Sequence, residues 1–158
     1  MKEYKKLGFS SEETKEIVDA LNKLLANFQV HYQKLRNFHW NVEGADFFQL
    51  HDQFEEEYDQ VKLQIDEIAE RIRVFGHKPL STMADYLKVS EISEAGTDLS
   101  AKKMVEEVIK DYEFLLSFMV EAISAAEEID DSATEDLITG YMKRTEQRHW
   151  MFSAWAKR

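Results

Sequence analysis

The residues best suited to chemistry lie in one stretch, RNFHWNVEGADFFQLHDQFEEEYDQVKLQIDEIAERI, from Arg36 to Ile72. It carries His39 and His51 among many carboxylates. Two donor pairs stand out because their members are four residues apart, His51 with Glu55 and Asp66 with Glu70. On a helix that spacing places both members of a pair on one face, a turn apart. Imidazole with carboxylate suits Fe(II), Mn(II) or Zn(II) and gives no special preference for Ca(II). The chain has no cysteine, which excludes thiolate ligands and disulfides and suits a reducing compartment. The competing interpretation is that these groups form only the solvated face of a helix.

The elements that must position these donors read as helices. Ser10 and Glu13 have capping-box spacing, and Ile17, Leu21, Leu24, Phe28, Leu35 and Phe38 follow at helical intervals, so a first helix is predicted over about 11–40. NVEGAD interrupts it, with Gly44 as turn residue. A second helix, about 47–75, carries Phe54, Tyr58, Val61, Ile65, Ile68, Ile72 and Phe75, and ends at FGHKPLS. TMADYLKVSEI has room for a short helix in the long connection. A third helix begins near Ser100. After DDSATED, where Ser132 and Glu135 again have capping-box spacing, a fourth runs to about Trp155. Short first and last connections imply two antiparallel pairs, and the long central one can run the length of the bundle. The expected class is all-α, a ferritin-like four-helix bundle with a short extra helix in its crossover. It forms a single domain over 1–158, with 1–9 as a lead-in.

On a helical wheel with Phe54 at zero, the apolar stripe of the second helix lies within about 40°, His51 at about 60°, Glu55 at about 100°, Asp66 at about 120° and Glu70 at about 160°. The donors sit on a flank and do not point into the subunit's own core. The two pairs are also separated along the axis by roughly 22 Å, too far for one ion.

A two-fold axis resolves this. If the second helix meets a second copy of itself antiparallel, facing residues have a constant sum of numbers. His51 with Glu70 and Glu55 with Asp66 share the same sum, 121, so one crossing between Gln60 and Val61 brings both pairs together. His39 joins because the first two helices fold back near residue 45, which sets His39 level with His51. The expected site is His39, His51 and Glu55 from one chain with Asp66 and Glu70 from the other.

Other candidates have simpler explanations. His31 is expected to be a partly buried polar residue, and His77, beside Lys78 in a loop, to be solvated. Glu146 and His149 form one Glu-x-x-His match, but a diiron centre inside the bundle needs two such motifs and two further glutamates. His149 is therefore expected to be structural or exposed. Trp40, Trp150 and Trp155 are expected to pack.

A net charge of −11 repels nucleic acid and attracts cations. Lys2, Lys5 and Lys6 make only a small basic patch. No signal pattern and no membrane-length apolar run is visible, so the cytoplasm is the expected location. The face of the second helix opposite the core carries Asp52, Glu56, Asp59 and Glu67, a clustered acidic surface suited to binding cations.

NFHW, LHDQFEEEYD and DEIAERI, in that order and spacing, resemble the Dps family of small ferritin-like proteins that protect DNA during starvation. The similarity extends over nearly the whole chain. It implies a hollow shell of twelve identical subunits with ferroxidase sites across two-fold interfaces at His39, His51 and Glu55 with Asp66 and Glu70 of a neighbour. It implies oxidation of Fe(II), preferably by hydrogen peroxide, with one or two irons per site, and ferric mineral stored inside as protection against oxidative damage. Glu55 stands where some members carry the shorter aspartate. The family also has acidic pores at three-fold axes in the region of Asp130, Asp131, Glu135 and Asp136, of which Asp131 or Asp136 is expected to face the opening. The alternative function is a DNA-coating protein with incidental iron binding. DNA-binding members often have longer lysine-rich tails, so DNA binding is expected to be weak or absent.

Overall fold

A computed structural model of the chain describes residues 7–157. Lys2, Lys5 and Lys6 lie outside them. Five helices are present: α1 Thr14–Asn41, α2 Phe47–Val74, α3 Met83–Val89, α4 Ala101–Glu127 and α5 Ser132–Ala156. Among the described residues there is no strand, and no helix is long and apolar enough to cross a membrane.

The first capping box forms as its spacing predicts. The Ser10 amide donates to Glu13 Oε2 at 2.6 Å and the Glu13 amide to Ser10 Oγ at 3.2 Å. The resulting turn precedes the regular helix, which therefore starts at Thr14 rather than at 11. α2 ends in a Schellman motif. The His77 amide donates to the Ile72 carbonyl and the Gly76 amide to that of Arg73, with Gly76 at φ 79°. α4 begins at Ser100, whose hydroxyl accepts from the Lys103 amide.

The second capping box is a correction. The cap of α5 is Asp131, whose Oδ1 accepts from the Thr134 amide at 3.2 Å. Ser132 is the first helical residue and is exposed. The cap moved back one residue because α4 closes with another Schellman motif. Asp131 donates to the Ala126 carbonyl and Asp130, at φ 54°, to that of Glu127. Asp131 is thereby placed to cap the next helix at once.

Cross-helix contacts fix the topology. His39 meets His51 and Phe9 meets Phe75, so α1 and α2 are antiparallel. Tyr112 meets Phe152 and Glu113 meets His149, which makes α4 and α5 antiparallel. Lys23 reaches Glu121 and Lys34 reaches Asp111, so α1 and α4 are antiparallel too. The crossover must then return the chain to the end where α2 began. Three α1 asparagines hold it there. Asn22 accepts from the Leu80 amide, Asn27 from the amides of Glu91 and Ile92, and Asn37 donates to the carbonyls of Ala95 and Gly96. Such bonds satisfy loop groups that no ladder could.

The core is formed by Ile17, Leu21, Leu24, Phe28, Phe38, Phe54, Ile68, Ile72, Met104 and their neighbours. On α2 it is rotated relative to the expected stripe. Tyr58 and Ile65 are only partly buried, while Glu57 and Gln64, on the other flank, are buried. The rotation moves the core further from the His51–Glu55–Asp66–Glu70 flank.

Candidate metal centre

His39 near the end of α1 and His51 in the first turns of α2 are brought together by the tight turn at Gly44, where φ is 107° and only a residue without Cβ is unstrained. Their rings stack with centroids 3.8 Å apart and planes 18° apart. Each Nδ1 lies 2.7 Å from the other residue's backbone carbonyl. A carbonyl can only accept, so both Nδ1 atoms carry hydrogen, and in the neutral tautomer so fixed the lone pair is on Nε2. A metal-binding histidine is commonly oriented this way, by a bond from its other nitrogen to a carbonyl. Phe47 stacks on His51 at 5.0 Å and Tyr58 stands edge-on to His39 at 5.3 Å, closing the pair on two sides. His39 is buried and His51 half-buried.

The carboxylates behave differently. Glu55, Asp66 and Glu70 are exposed, and among the described residues none forms a hydrogen bond or ion pair. No three metal-binding side chains of a single chain converge among the described residues. The subunit thus presents two oriented imidazoles, with Glu55 one helical turn beyond His51 on α2 and the other two carboxylates further along the same flank, none of them drawn in to form a three-donor group. This donor set fits a divalent cation with mixed nitrogen and oxygen preference.

Other candidates sort by their contacts. Asp131 is buried, and besides capping α5 its Oδ1 lies 2.7 Å from Arg71 Nη2. Within the subunit its carboxylate is engaged by Arg71. Asp130 takes the left-handed backbone position that ends α4, and its carboxylate is exposed. Glu135 and Asp136, half-buried and exposed, keep free carboxylates. Asp52, Glu56, Asp59 and Glu67 are all exposed, as the wheel predicts. Glu67 adjoins Tyr141, whose hydroxyl is pushed well up by burial and by that carboxylate.

His31 is fully buried, with Nδ1 2.9 Å from Asp111 Oδ2, and Lys34 Nζ lies 2.9 Å from Asp111 Oδ1. It forms a more tightly enclosed polar cluster than expected. His77 is half-buried, with Nε2 3.4 Å from the hydroxyl of buried Thr14, so it is not a solvated loop residue. His149 faces Glu113 at 3.3 Å on a partly exposed surface, in keeping with a structural role.

Sequence reasoning missed Glu57. It is fully buried, accepts from the Tyr112 hydroxyl, and is paired with Arg144 Nη2 at 2.9 Å and Arg148 Nε at 2.6 Å. Arg148 also donates to Gln53 at 2.6 Å. The signal was available as two arginines four apart on α5. Two guanidinium groups occupy the bundle interior where an intra-bundle metal would need carboxylates.

Compared with known proteins, residues 18–158 match the ferritin-like domain family. The chain is 44% identical over 140 residues to DNA protection during starvation protein 2 of Bacillus anthracis, covering 89% of this chain and 96% of that one. The chain belongs to the Dps family. Two crystal structures of Dps proteins agree with that membership. The Vibrio cholerae Dps, described as a member of a broad superfamily of ferritin-like diiron-carboxylate proteins, superposes with TM-score 0.90 at 34% identity, covering 92% of each chain. The Dps of Bacillus brevis superposes with TM-score 0.89 at 37% identity, covering 93% of this chain and 99% of that one. Dps membership accounts for the all-helical bundle and its crossover helix, and at family level for iron handling by a carboxylate-rich site.

Proposed function

We propose that this Dps-family chain is an iron-sequestering ferroxidase. It oxidises Fe(II), preferably with hydrogen peroxide, at sites shared by two subunits, and stores the ferric product within a hollow shell of twelve. The single observation that carries this reading is the reciprocal lock of His39 and His51, which pairs two imidazoles one helical turn from Glu55 while no three donors of one chain converge among the described residues. Asp66 and Glu70 of a two-fold neighbour are the complement that antiparallel pairing of α2 supplies. In chemical terms the imidazoles capture Fe(II), and the carboxylates, as hard anionic oxygens, favour Fe(III) and so favour oxidation. Two Fe(II) each give one electron to one peroxide, yielding two hydroxides and no free radical. Clustered Asp52, Glu56, Asp59 and Glu67 then offer oxygens on which hydrolysed Fe(III) can grow.

The test exploits the shared site. His51→Ala and Asp66→Ala subunits, each poor alone in peroxide-driven Fe(II) oxidation, should regain part of the activity when reassembled together, because one of the two interface sites then has all its ligands. No recovery in verified mixed shells would count against sharing.

A second reading is favoured by the name of the Bacillus anthracis relative, DNA protection during starvation protein 2. Under it the chain coats DNA and binds iron incidentally. A net charge of −11 opposes this. Tight, salt-sensitive DNA retention in a low-salt gel-shift titration would promote it.

A further inference from the structure

The proposed iron site does not use a polar group buried deep in the bundle. Tyr112 on α4 is buried, and its hydroxyl donates to Glu57, the carboxylate held by Arg144 and Arg148. Burial and the Glu57 charge hold the phenol well above its ordinary range, so it is neutral and protonated. Tyr112 is also the end of a line of touching rings. Phe38 meets Phe54 at 5.7 Å, Phe54 meets Phe152 at 6.3 Å, and Phe152 meets Tyr112 at 5.9 Å. Phe38 directly precedes His39, and Phe54 directly precedes Glu55. The line therefore starts at the backbone of two site residues and ends at an oxidisable ring whose proton already has an acceptor. Losing an electron makes a phenol strongly acidic, and an acceptor already bonded to it lets the proton leave together with the electron.

We propose that Tyr112 is a one-electron reservoir for the iron site, oxidised through the Phe54–Phe152 contact and deprotonated towards Glu57. This rests on the ferroxidase reading and concerns turnover when only one iron is bound. One Fe(II) reduces peroxide by one electron, giving Fe(III), hydroxide and hydroxyl radical. The radical takes an electron from Tyr112 and becomes a second hydroxide, and the phenolic proton passes to the Glu57 carboxylate. The neutral tyrosyl radical then takes an electron from a second Fe(II) and the proton returns from Glu57. In sum, two Fe(II) and one peroxide give two Fe(III) and two hydroxides, as at a doubly loaded site. The surroundings suit a radical that must persist between iron arrivals. Tyr112 is closed from solvent, with His31 edge-on at 5.6 Å and Phe152 on another side.

Freeze-quench electron paramagnetic resonance on the assembled protein tests this, with less than one Fe(II) per site and excess peroxide. A tyrosyl signal is expected in the wild type, lost in Tyr112→Phe and retained in Tyr32→Phe, a tyrosine of α1 outside this line of rings. Tyr112→Phe should also consume fewer Fe(II) per peroxide, falling from two towards one, and release hydroxyl radical to a spin trap. If Tyr112→Phe does not assemble, nitroso trapping in the wild type with peptide mapping must place the adduct on Tyr112. Fe(II) oxidation with no tyrosyl signal, a signal undiminished in Tyr112→Phe, or an adduct on another residue overturns the reservoir and leaves the ferroxidase reading intact. Absence of Fe(II) oxidation in the wild type would instead remove the ferroxidase reading.

Discussion

His39 and His51 each donate Nδ1–H to the other's backbone carbonyl at 2.7 Å, so the same two bonds tie α1 to α2 and fix the orientation of both rings, whose Nε2 atoms the proposed site would use. Binding and stability are coupled at this point. His39→Ala or His51→Ala should lower Fe(II) affinity measured anaerobically by calorimetry, by about tenfold or more. Either change should also cost about 1–3 kcal/mol in urea unfolding, because a partly buried carbonyl loses its donor. Unchanged affinity in both variants would sink the assignment.

Glu57 sits fully buried between two arginines, and Arg148 is itself buried. Glu57→Ala leaves that cation without its partner and should destabilise the fold by about 3–5 kcal/mol. Urea or thermal unfolding of the variant checks this, and a loss below about 1 kcal/mol would show that water or Gln53 compensates.

Asp130 holds φ 54° as the left-handed residue closing α4. Asp130→Gly removes the Cβ cost at that conformation and should raise stability by several tenths of a kcal/mol, up to about 1. Asp131→Ala should do the opposite, by about 1–3 kcal/mol, since it removes the α5 cap and the carboxylate paired with Arg71, which keeps only its bond to Thr134 and its place over Phe75. Equal effects of the two changes would contradict these distinct roles.

Asp130, Glu135 and Asp136 near this turn make no side-chain hydrogen bond or ion pair among the described residues, and the last two are the ones we propose guide cations. Glu135→Gln with Asp136→Asn should slow Fe(II) oxidation mainly at low ionic strength, where charges act over a longer range. The shell should still assemble. A wild-type rate at low salt would mean that iron passes elsewhere.

Tyr112 has a raised pKa, from burial first and then from Glu57. The unfolded phenol ionises near its ordinary value of about 10, while the folded one does not. Its contribution to stability is complete below that pH and is lost as pH rises above it towards the folded value. Wild-type stability should therefore fall above about pH 10, and Tyr112→Phe should show a shallower fall in chemical unfolding across that range.

The sequence by itself determined the helices, their order and the flank that carries the donors, because helical spacing and turn residues are local. Phe54, Ile68 and Ile72 recur at that spacing and are buried, and Asp66 and Glu70 lie off the stripe and are exposed. Level placement of His39 and His51 followed from the fold-back at Gly44 alone. Only the tertiary structure decided which nitrogen of each histidine is free, since the bond that fixes it comes from the backbone of another helix. Only it showed that Asp131 is a cap paired with Arg71, because Arg71 lies 60 residues away in sequence. The burial of Glu57 was decided there too, although two arginines four apart on α5 hinted at a buried acid. A glutamate beside Glu55 and Glu56 reads as one more solvated charge, and its burial depends on Tyr112, Arg144 and Arg148 arriving from α4 and α5 to satisfy it.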